Sequence, residues 1–203
     1  MNPERRRTTH DPRAPQGTTP VARIESLGLL RRACWLELER AAQERDHGWR
    51  TLALATVDAD RADARVVILR EVDAAAQCLR FYTDARSRKV AQIGQQPLGT
   101  LLAWCPRLSW QLRLQVRLRI DTEERSVQPR WARLRMTPAA QDYMSPLAPG
   151  LPLVAAEREP DGGPRTNFAV VHAEVLGVDW LELHADGPRR ARFDAQGEIW
   201  IQP

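Results

Sequence analysis

The chain has 203 residues, of which 43% are hydrophobic and 28% charged, a balance that excludes a wholly disordered protein. Its 30 Lys and Arg residues are interspersed with 26 Asp and Glu residues, so the net charge of +4 does not form the concentrated basic face of a duplex binder. No apolar run reaches the roughly 20 residues that span a bilayer, and no apolar segment follows the charged N-terminus as in a secretory signal. Cys34, Cys78 and Cys105 lack metal-type spacing. We therefore expect a protein of the reducing cytoplasm, with no membrane, nucleic-acid or metal partner.

The N-terminal part predicts an arm followed by a helix. Residues 1–20 are rich in arginine and proline and have no apolar period, which indicates a flexible arm and a single domain over residues 21–203. From Val21 to Asp46 apolar residues recur at three- and four-residue steps, the pattern of an amphipathic helix. His47-Gly48 is a stop signal, because glycine tolerates the left-handed cap.

Strand signals follow in close succession. Thr51–Asp58 and Ala64–Val72 are separated by a polar turn and predict a hairpin, and Leu79–Thr83 predicts a third strand. Ser87 is a candidate N-cap for a short helix.

The middle of the chain predicts two strands, two helices and a loop. Gly99–Trp104 has the composition of a short buried strand. From Gln111 to Ile120 polar and apolar residues alternate strictly, which predicts one core-facing side and one polar side. A helix is predicted from Glu123 to Arg135 and another short one after Thr137, and the proline- and glycine-rich stretch Pro146–Pro164 predicts a loop.

The C-terminal part returns to strands. The segments "NFAVVHAEVLGV", "WLELHA", "RRARFD" and "EIWIQP" each have strand character, with turn residues between the last three. The total is seven or eight strands, interrupted by helices that do not alternate with them. This pattern favours a mainly β (α+β) fold, a closed or half-closed antiparallel barrel decorated with helices. A glycine-rich phosphate loop is absent from the sequence.

Lys89 is the only lysine in the chain. It lies with Ser87 and Arg88 in the predicted first turn of a helix, where unpaired backbone N–H groups and the helix dipole favour an anion. Lysine supplies a compact charge where a second guanidinium does not fit, which favours a phosphate site. Arg65 and Arg70 bracket "VVIL" on a neighbouring strand and can add charge. The alternative is that Arg88 and Lys89 form the solvated face of a short helix.

Three motifs in order, "RVVILR", "FYTDARSRK" and a glutamine that opens a long alternating strand, resemble the pyridoxamine 5'-phosphate oxidase-like family of FMN-binding split barrels. The similarity runs from about Thr51 to Ile120, with a weaker echo at the C-terminal "RRARF". The resemblance implies a Greek-key split barrel, FMN as the cofactor, and a homodimer with FMN at the interface. The FMN contacts that it implies are Arg65, Val66, Val67, Ile68, Leu69, Arg70, Tyr82, Thr83, Ser87, Arg88, Lys89, Gln111 and Arg192.

The substrate positions of the family match less closely. Arg70 stands where the pyridoxamine phosphate oxidases have a lysine, and Trp131 stands where they have a tyrosine, followed by Arg133 or Arg135. A matching serine, the Gln-Ser pair and the C-terminal Arg-Leu-His are missing, so FMN binding is better supported than oxidation of vitamin B6. Trp180 is more consistent with a core residue than with the flavin-flanking tryptophan.

Three functions remain open from the sequence. The first is an FMN-dependent oxidoreductase that transfers hydride between a small substrate and FMN, and no Ser/His/Asp or paired-carboxylate motif is required for it because the flavin accepts the hydride. The second is a non-catalytic flavin carrier or sensor on the same fold. The third is nucleic-acid binding by the arginine face of Gln111–Arg119, which lacks the interleaved aromatic residues of single-strand binders.

Overall fold

A computed structural model describes residues 23–153 and 167–203. The arm predicted at residues 1–20 and the later part of the loop predicted at Pro146–Pro164 lie outside these ranges. Residues 146–152 carry neither helix nor strand, in agreement with the predicted loop. No helix in the described ranges is long and apolar enough to cross a membrane.

The described residues form three α-helices, two short 3₁₀ helices and eight strands. The α-helices are α1 (Leu27–Gln43), α2 (Arg88–Gln95) and α3 (Glu124–Leu134), and the 3₁₀ helices cover Gly48–Arg50 and Pro138–Tyr143. The strands are β1 (Thr51–Asp58), β2 (Arg61–Asp73), β3 (Cys78–Asp84), β4 (Leu98–Cys105), β5 (Trp110–Asp121), β6 (Phe168–Glu182), β7 (Arg189–Asp194) and β8 (Gly197–Ile201).

The first helix is shorter than the predicted span Val21–Asp46. It begins after Ser26, whose Oγ accepts a hydrogen bond from the backbone N–H of Leu29 at 3.5 Å. Serine is a favoured N-cap residue because its hydroxyl satisfies one of the unpaired amides of the first turn. The apolar pattern of the sequence therefore begins before the helix does, because Ser26 fixes the N-terminal end of the helix.

Six strands close an antiparallel barrel in the order β3-β2-β1-β4-β5-β6, and β6 pairs again with β3. The strand β4 lies beside β1 after the meander β1-β2-β3, which is the Greek-key arrangement. The strands β7 and β8 extend the sheet beyond β6. The predicted antiparallel barrel decorated with helices is confirmed.

The barrel interior is built from strict alternation. Along β5 the residues Leu112, Leu114, Val116 and Leu118 are buried, while the polar residues between them face outward. The helix α1 places its buried face on the same core, including Leu30 and Leu38. Trp180 is fully buried in this core, which agrees with the structural role expected for it.

The C-terminal strand prediction needs one correction. The two segments "NFAVVHAEVLGV" and "WLELHA" form one continuous strand, β6, and not two. The pairing with β5 changes register where Gln115 pairs with Gly177 and Val116 with Val175, so Leu176 forms a bulge. The first half of β6 pairs with β3 and the second half with β7. The bulge lies where the partner of β6 changes from β3 to β7. Gly177 at the bulge resembles a turn signal in the sequence.

A second apolar cluster lies outside the barrel wall and beneath α3. It contains Val127, Trp131, Leu134, Ala140, Tyr143, Phe168 and Val170, with Tyr82 packed against it. The strands β3 and β6 therefore have apolar side chains on both faces, and α3 with the 3₁₀ helix Pro138–Tyr143 covers the outer one.

Candidate functional site

The end of β3 and the first turn of α2 bring one ammonium group and two hydroxyls together. The Nζ atom of Lys89 lies 3.1 Å from Oγ1 of Thr83 and 3.2 Å from Oγ of Ser87. The two hydroxyl oxygens are themselves 3.1 Å apart. Thr83 and Ser87 are 3% and 4% exposed, so the cluster is a nearly buried set of donors. Such a set is chemically suited to the oxygens of a phosphate.

Ser87 occupies the predicted N-cap position of α2, but its hydroxyl does not cap the helix. The hydroxyl contacts Thr83 and Lys89 instead, and the first turn of α2 has no side-chain cap. Backbone N–H groups of an uncapped first turn favour an anion. The cap position therefore contributes both a side-chain donor and an unsatisfied helix end at the same place.

Lys89 forms no ion pair with a carboxylate of the described residues, and its partners are neutral hydroxyls. Burial lowers the pKa of Lys89 below its ordinary value, and the nearby Arg65 guanidinium lowers it further. Both effects disfavour an isolated positive charge at this position. An anion bound here would oppose both effects by favouring the charged form of Lys89.

Arg65 lies beside this cluster and anchors α2 to the barrel. Its guanidinium donates to Oγ1 of Thr56 at 2.5 Å, to Oδ2 of Asp63 at 2.6 Å and to Oε1 of Gln92 at 2.8 Å. Gln92 is 2% exposed and points from α2 into the barrel. The cation at the cluster is thus fixed by contacts from β1, β2 and α2.

Arg88 points away from the hydroxyl cluster. Its guanidinium forms an ion pair with Asp58, and the side chain is 74% exposed. In this structure Arg88 therefore contributes a solvated charge at the rim, whereas Lys89 contributes a half-buried one.

The predicted strand Arg65–Arg70 divides by face. Val67 and Leu69 are buried in the barrel core, and Ile68 is half-buried. Val66 faces outward and is 65% exposed, although it is apolar. This strand therefore contributes core residues and an outer apolar surface, in addition to its two arginines.

Tyr82 and Arg70 lie on the outer side of the barrel near α3. The Tyr82 hydroxyl donates to Oε1 of Glu71 at 2.8 Å, and the Arg70 guanidinium stacks 5.7 Å from the Tyr82 ring centre. Glu71 also accepts two hydrogen bonds from Arg130 of α3, at 2.6 and 2.8 Å. Burial and this hydrogen bond raise the pKa of Tyr82, so the hydroxyl stays protonated.

An open cleft of about 770 Å³ lies at this side of the barrel. Six charged side chains line it. The basic ones are Arg70, Arg80 and Arg133, and the acidic ones are Glu39, Glu71 and Asp73. Arg80 contacts both Glu71 and Asp73, but Arg70 and Arg133 form no ion pair with a described carboxylate. Arg70 and Arg133 are therefore available to an anionic group of a ligand, in a cleft whose basic and acidic side chains are equal in number.

The other predicted substrate residues are placed differently. Trp131 is 8% exposed and packs against Phe168 with ring centres 5.6 Å apart, so its side chain belongs to the apolar cluster beneath α3. Arg135 is exposed at the C-terminal end of α3.

Gln111 and Arg192 lie far from the hydroxyl cluster within one chain. Thr83 pairs with Ala169, and the next residue of β6 pairs with Asp121 at the end of β5. Gln111 is at the beginning of β5, which corresponds to roughly 30 Å along the strand at about 3.3 Å per residue. Arg192 of β7 pairs with Asp179 of β6, and Asp179 also pairs with Arg113 of β5. Arg192 therefore lies near the start of β5, at the same end of the sheet as Gln111. The predicted residues therefore form two separate groups.

Sequence reasoning missed four residues that hold these groups in place. Gln92, Asp63 and Glu71 supply the partners of Arg65, Tyr82 and Arg130, and Arg86 donates to Asp84 and to the carbonyls of Ser145 and Pro146. Each resembles an ordinary surface polar residue in the sequence. The available signal was position: Gln92 lies three residues after Lys89 on the same short helix, and Asp63 two residues before Arg65.

Comparisons with known proteins agree with the fold and with FMN as the cofactor. The sequence model described as "Pyridoxamine 5'-phosphate oxidase, FMN-binding domain" matches residues 32–122. The pyridoxine/pyridoxamine 5'-phosphate oxidase of Burkholderia thailandensis is 38% identical over 77 residues, which cover 37% of this chain and 35% of that protein. The enzyme of the same name from Granulibacter bethesdensis is 32% identical over 119 residues, 56% of this chain and 55% of that protein. The chain thus spans about a third to a half of the length of these curated relatives.

Solved structures extend the likeness over most of the chain. A pyridoxamine 5'-phosphate oxidase-related, FMN-binding protein of Nostoc punctiforme is 28% identical, with a TM-score of 0.64 over 85% of this chain and 96% of that one. PhzG of Burkholderia lata, crystallised with tetrahydrophenazine-1-carboxylic acid, has the same fold at 21% identity and a TM-score of 0.64, covering 87% of this chain and 92% of that one.

The Greek-key barrel is the fold that this chain shares with the FMN-binding relative from Nostoc punctiforme. Residues 32–122 match the FMN-binding domain of the pyridoxamine 5'-phosphate oxidases, and FMN is the cofactor of this matched domain.

Proposed function

We propose that this protein is an FMN-dependent oxidoreductase that transfers hydride between a small substrate and FMN. The observation that carries the proposal is Lys89, a half-buried cation whose partners are the hydroxyls of Thr83 and Ser87 and no carboxylate of the described residues. Asp84 and Asp63 lie near enough to favour its charged form, but each is paired with an arginine, so a half-buried cation without a direct carboxylate partner favours an anionic ligand. FMN supplies the hydride-accepting ring when bound, and the chain supplies position and charge.

The cofactor's phosphate is assigned to Lys89, Ser87 and Thr83, with Arg65 as a second cation. The ammonium and both hydroxyls lie within 3.2 Å of one another, so one phosphate can accept hydrogen bonds from all three. The predicted FMN contacts of Tyr82 and of the strand Arg65–Arg70 remain part of this proposal.

We propose a homodimer, because Gln111 and Arg192 can share a ligand with Lys89 only if a second copy supplies them. The outer face of the barrel offers a surface for this contact. Ala53 of β1 pairs with both Val66 and Leu102, which are 65% and 41% exposed, so the three residues form an apolar row across β2, β1 and β4. Trp104, 42% exposed, pairs with Gln111, so the apolar surface adjoins the second group of predicted residues.

The cleft near α3 is proposed as the substrate site. Arg70 and Arg133 lack carboxylate partners among the described residues, which supports a small substrate with an anionic group such as a phosphate. The Burkholderia and Granulibacter relatives are each named for oxidation of a phosphorylated substrate. A reducing cytoplasm fits the three free cysteines, two of which are buried.

The second candidate is a non-catalytic flavin carrier or sensor on the same fold. It is favoured by Trp131, which occupies the position of a substrate-binding tyrosine but is buried against Phe168 and Tyr143. Because the Trp131 side chain is used for packing, α3 has one side chain fewer with which to bind a substrate.

Anaerobic bleaching of the bound flavin separates the two candidates. The FMN-loaded protein is mixed with phosphorylated aromatic amines and alcohols without oxygen, and absorbance is followed near the flavin bands. Bleaching by one compound, reversed when air is admitted, supports the oxidoreductase. Stable flavin absorbance with every compound, in a protein that retains FMN, supports the carrier and contradicts the enzyme.

A further inference from the structure

Asp63 is one of two carboxylates near the Lys89 cluster; the other, Asp84, is paired with Arg86. The Oδ2 atom of Asp63 accepts from the Arg65 guanidinium at 2.6 Å and from Nε2 of Gln92 at 2.8 Å. The hydrogen bond from Gln92 lowers the pKa of Asp63 below its ordinary value, and the positive charge of Arg65 acts in the same direction, so Asp63 is negatively charged at neutral pH. Its side chain is 37% exposed, so water reaches it.

Arg65 has little capacity left for another ligand. One terminal nitrogen donates to the Leu54 carbonyl at 3.3 Å and to the Thr56 hydroxyl, and the other donates to Asp63 and Gln92. Of its five N–H donors, only the one on Nε has no partner among the described residues. The other three partners are neutral, so Asp63 is the one partner with which an anionic ligand competes directly.

We propose that Asp63 is an internal counter-anion for Arg65 that the cofactor's phosphate displaces, and that its charge sets how tightly FMN is held. The inference rests on the proposed phosphate site at Lys89. Gln92 keeps Arg65 in position when Asp63 leaves, because its Oε1 atom binds both the Arg65 guanidinium and the Thr56 hydroxyl.

The expected size of the effect follows from charge alone. Removing one negative charge about 6 Å from a phosphate, at an effective dielectric of about 40 for this part-exposed site, is worth roughly a tenfold change in affinity. An asparagine at this position keeps the oxygen that accepts from Gln92 and has nearly the same shape. Asp63→Asn therefore removes the charge and preserves the local hydrogen bond.

The test compares FMN with riboflavin, which has the same ring system and no phosphate. Dissociation constants for both are measured by quenching of flavin fluorescence for the wild-type protein, Asp63→Asn and the control Asp60→Asn. Asp60 lies in the β1–β2 turn, its side chain is 88% exposed, and its loss changes the net charge by the same amount. A second variant, Asp63→Ser, repeats the measurement with a smaller side chain.

We expect Asp63→Asn to bind FMN about tenfold more tightly, with riboflavin affinity unchanged and Asp60→Asn close to wild type. Unchanged or weaker FMN binding in both Asp63 variants, while the wild type binds FMN, overturns the inference and leaves the proposed function standing. Equal tightening of FMN and riboflavin also overturns it, because the effect then does not involve the phosphate. Failure of the wild type to bind FMN overturns the proposed function and this inference with it.

Discussion

The Nζ atom of Lys89 lies 3.1 Å from Oγ1 of Thr83, so the only lysine of the chain points back from α2 to the end of β3. Its neighbour Arg88 points outward to Asp58. Adjacent cations on the first turn of one helix are therefore in different environments: one is half-buried among hydroxyls, and the other is solvated in an ion pair. This difference makes the two residues a matched pair for experiment.

Lys89→Ala should weaken FMN binding by roughly 1.5–3 kcal/mol, the scale of a charge-assisted hydrogen bond. Arg88→Ala should cost less, about 1 kcal/mol or under, because an exposed ion pair contributes little and the guanidinium lies outside the hydroxyl cluster. Fluorescence titration with FMN measures both. Equal losses in the two variants would contradict the assignment of the phosphate to the Lys89 side.

FMN affinity should depend on pH in two steps. It should rise toward neutral pH as the phosphate loses its second proton, which has a pKa of about 6. It should fall again at alkaline pH, when Lys89 loses its proton. Because burial and Arg65 lower the pKa of Lys89 from 10.5, this fall should begin at a lower pH than for an ordinary lysine.

Lys89→Arg is the control for the alkaline step, since arginine stays protonated throughout the accessible range. Its FMN affinity, whatever its absolute value, should show no fall as pH rises from neutral to alkaline. An alkaline fall of the same size in wild type and Lys89→Arg would assign the titration to another group.

Lys89 and Gln111 lie too far apart in one chain to share a ligand, so the proposed dimer predicts complementation between subunits. Lys89→Ala and Gln111→Ala should each weaken FMN binding, and co-expression of the two should restore tight binding in a fraction of sites. In a mixed dimer, the intact Lys89 of one subunit meets the intact Gln111 of the other. The measurement is FMN titration of mixed dimers purified through two different tags.

Ser87→Ala mixed with Lys89→Ala is the matched control, because both residues belong to one cluster and every site then lacks one of them. No recovery is expected there. Recovery in the control, or none in the Lys89 and Gln111 mixture, would show that the two groups do not form a shared site.

His172 should make folding stability depend on pH in the mildly acidic range. Its Nδ1 accepts from Arg80 at 3.2 Å and its Nε2 lies 3.2 Å from Oδ2 of Asp121, an arrangement that suits the neutral ring. Burial, with Arg119 and Arg80 nearby, lowers the pKa of His172 below 6.5. The unfolded chain therefore takes up the proton first, and stability should fall as pH drops from about 6.5.

Thermal unfolding at closely spaced pH values measures this dependence. His172→Asn should have a flatter profile than the wild type between about pH 5 and 7, because it removes the group whose pKa differs between the folded and unfolded states. His184→Asn, which changes a histidine outside this network, should keep the wild-type slope. An unchanged slope in His172→Asn would assign the acid sensitivity to the carboxylates.

The sequence predicted the barrel because its signals are local and repeated. Strict alternation over Gln111–Ile120 determines which side of β5 faces the core, and the turn signals around β1 and β2 determine their pairing. The single strand β6 was divided because Gly177 lies at a bulge, and a glycine in a strand has the same appearance in sequence as a glycine in a turn.

The candidate site was less predictable because its geometry depends on long-range contacts. The sequence indicated Lys89 and Ser87 as neighbours on one helix turn, and the structure adds Thr83 to them. The sequence did not indicate that Asp63 and Gln92 would bind Arg65, because the contact with Gln92 joins β2 to α2. The separation of Gln111 from the cluster depends on strand register around the whole barrel, which no local pattern encodes.

An absorbance spectrum of the purified protein shows whether this barrel holds FMN. The purified protein is incubated with excess FMN, passed through a desalting column and scanned, with Lys89→Ala treated in parallel. Two flavin bands should elute with the wild-type protein and should be weaker in the variant. Wild-type protein that elutes without flavin, at concentrations where it is folded and dimeric, would contradict FMN binding by this barrel.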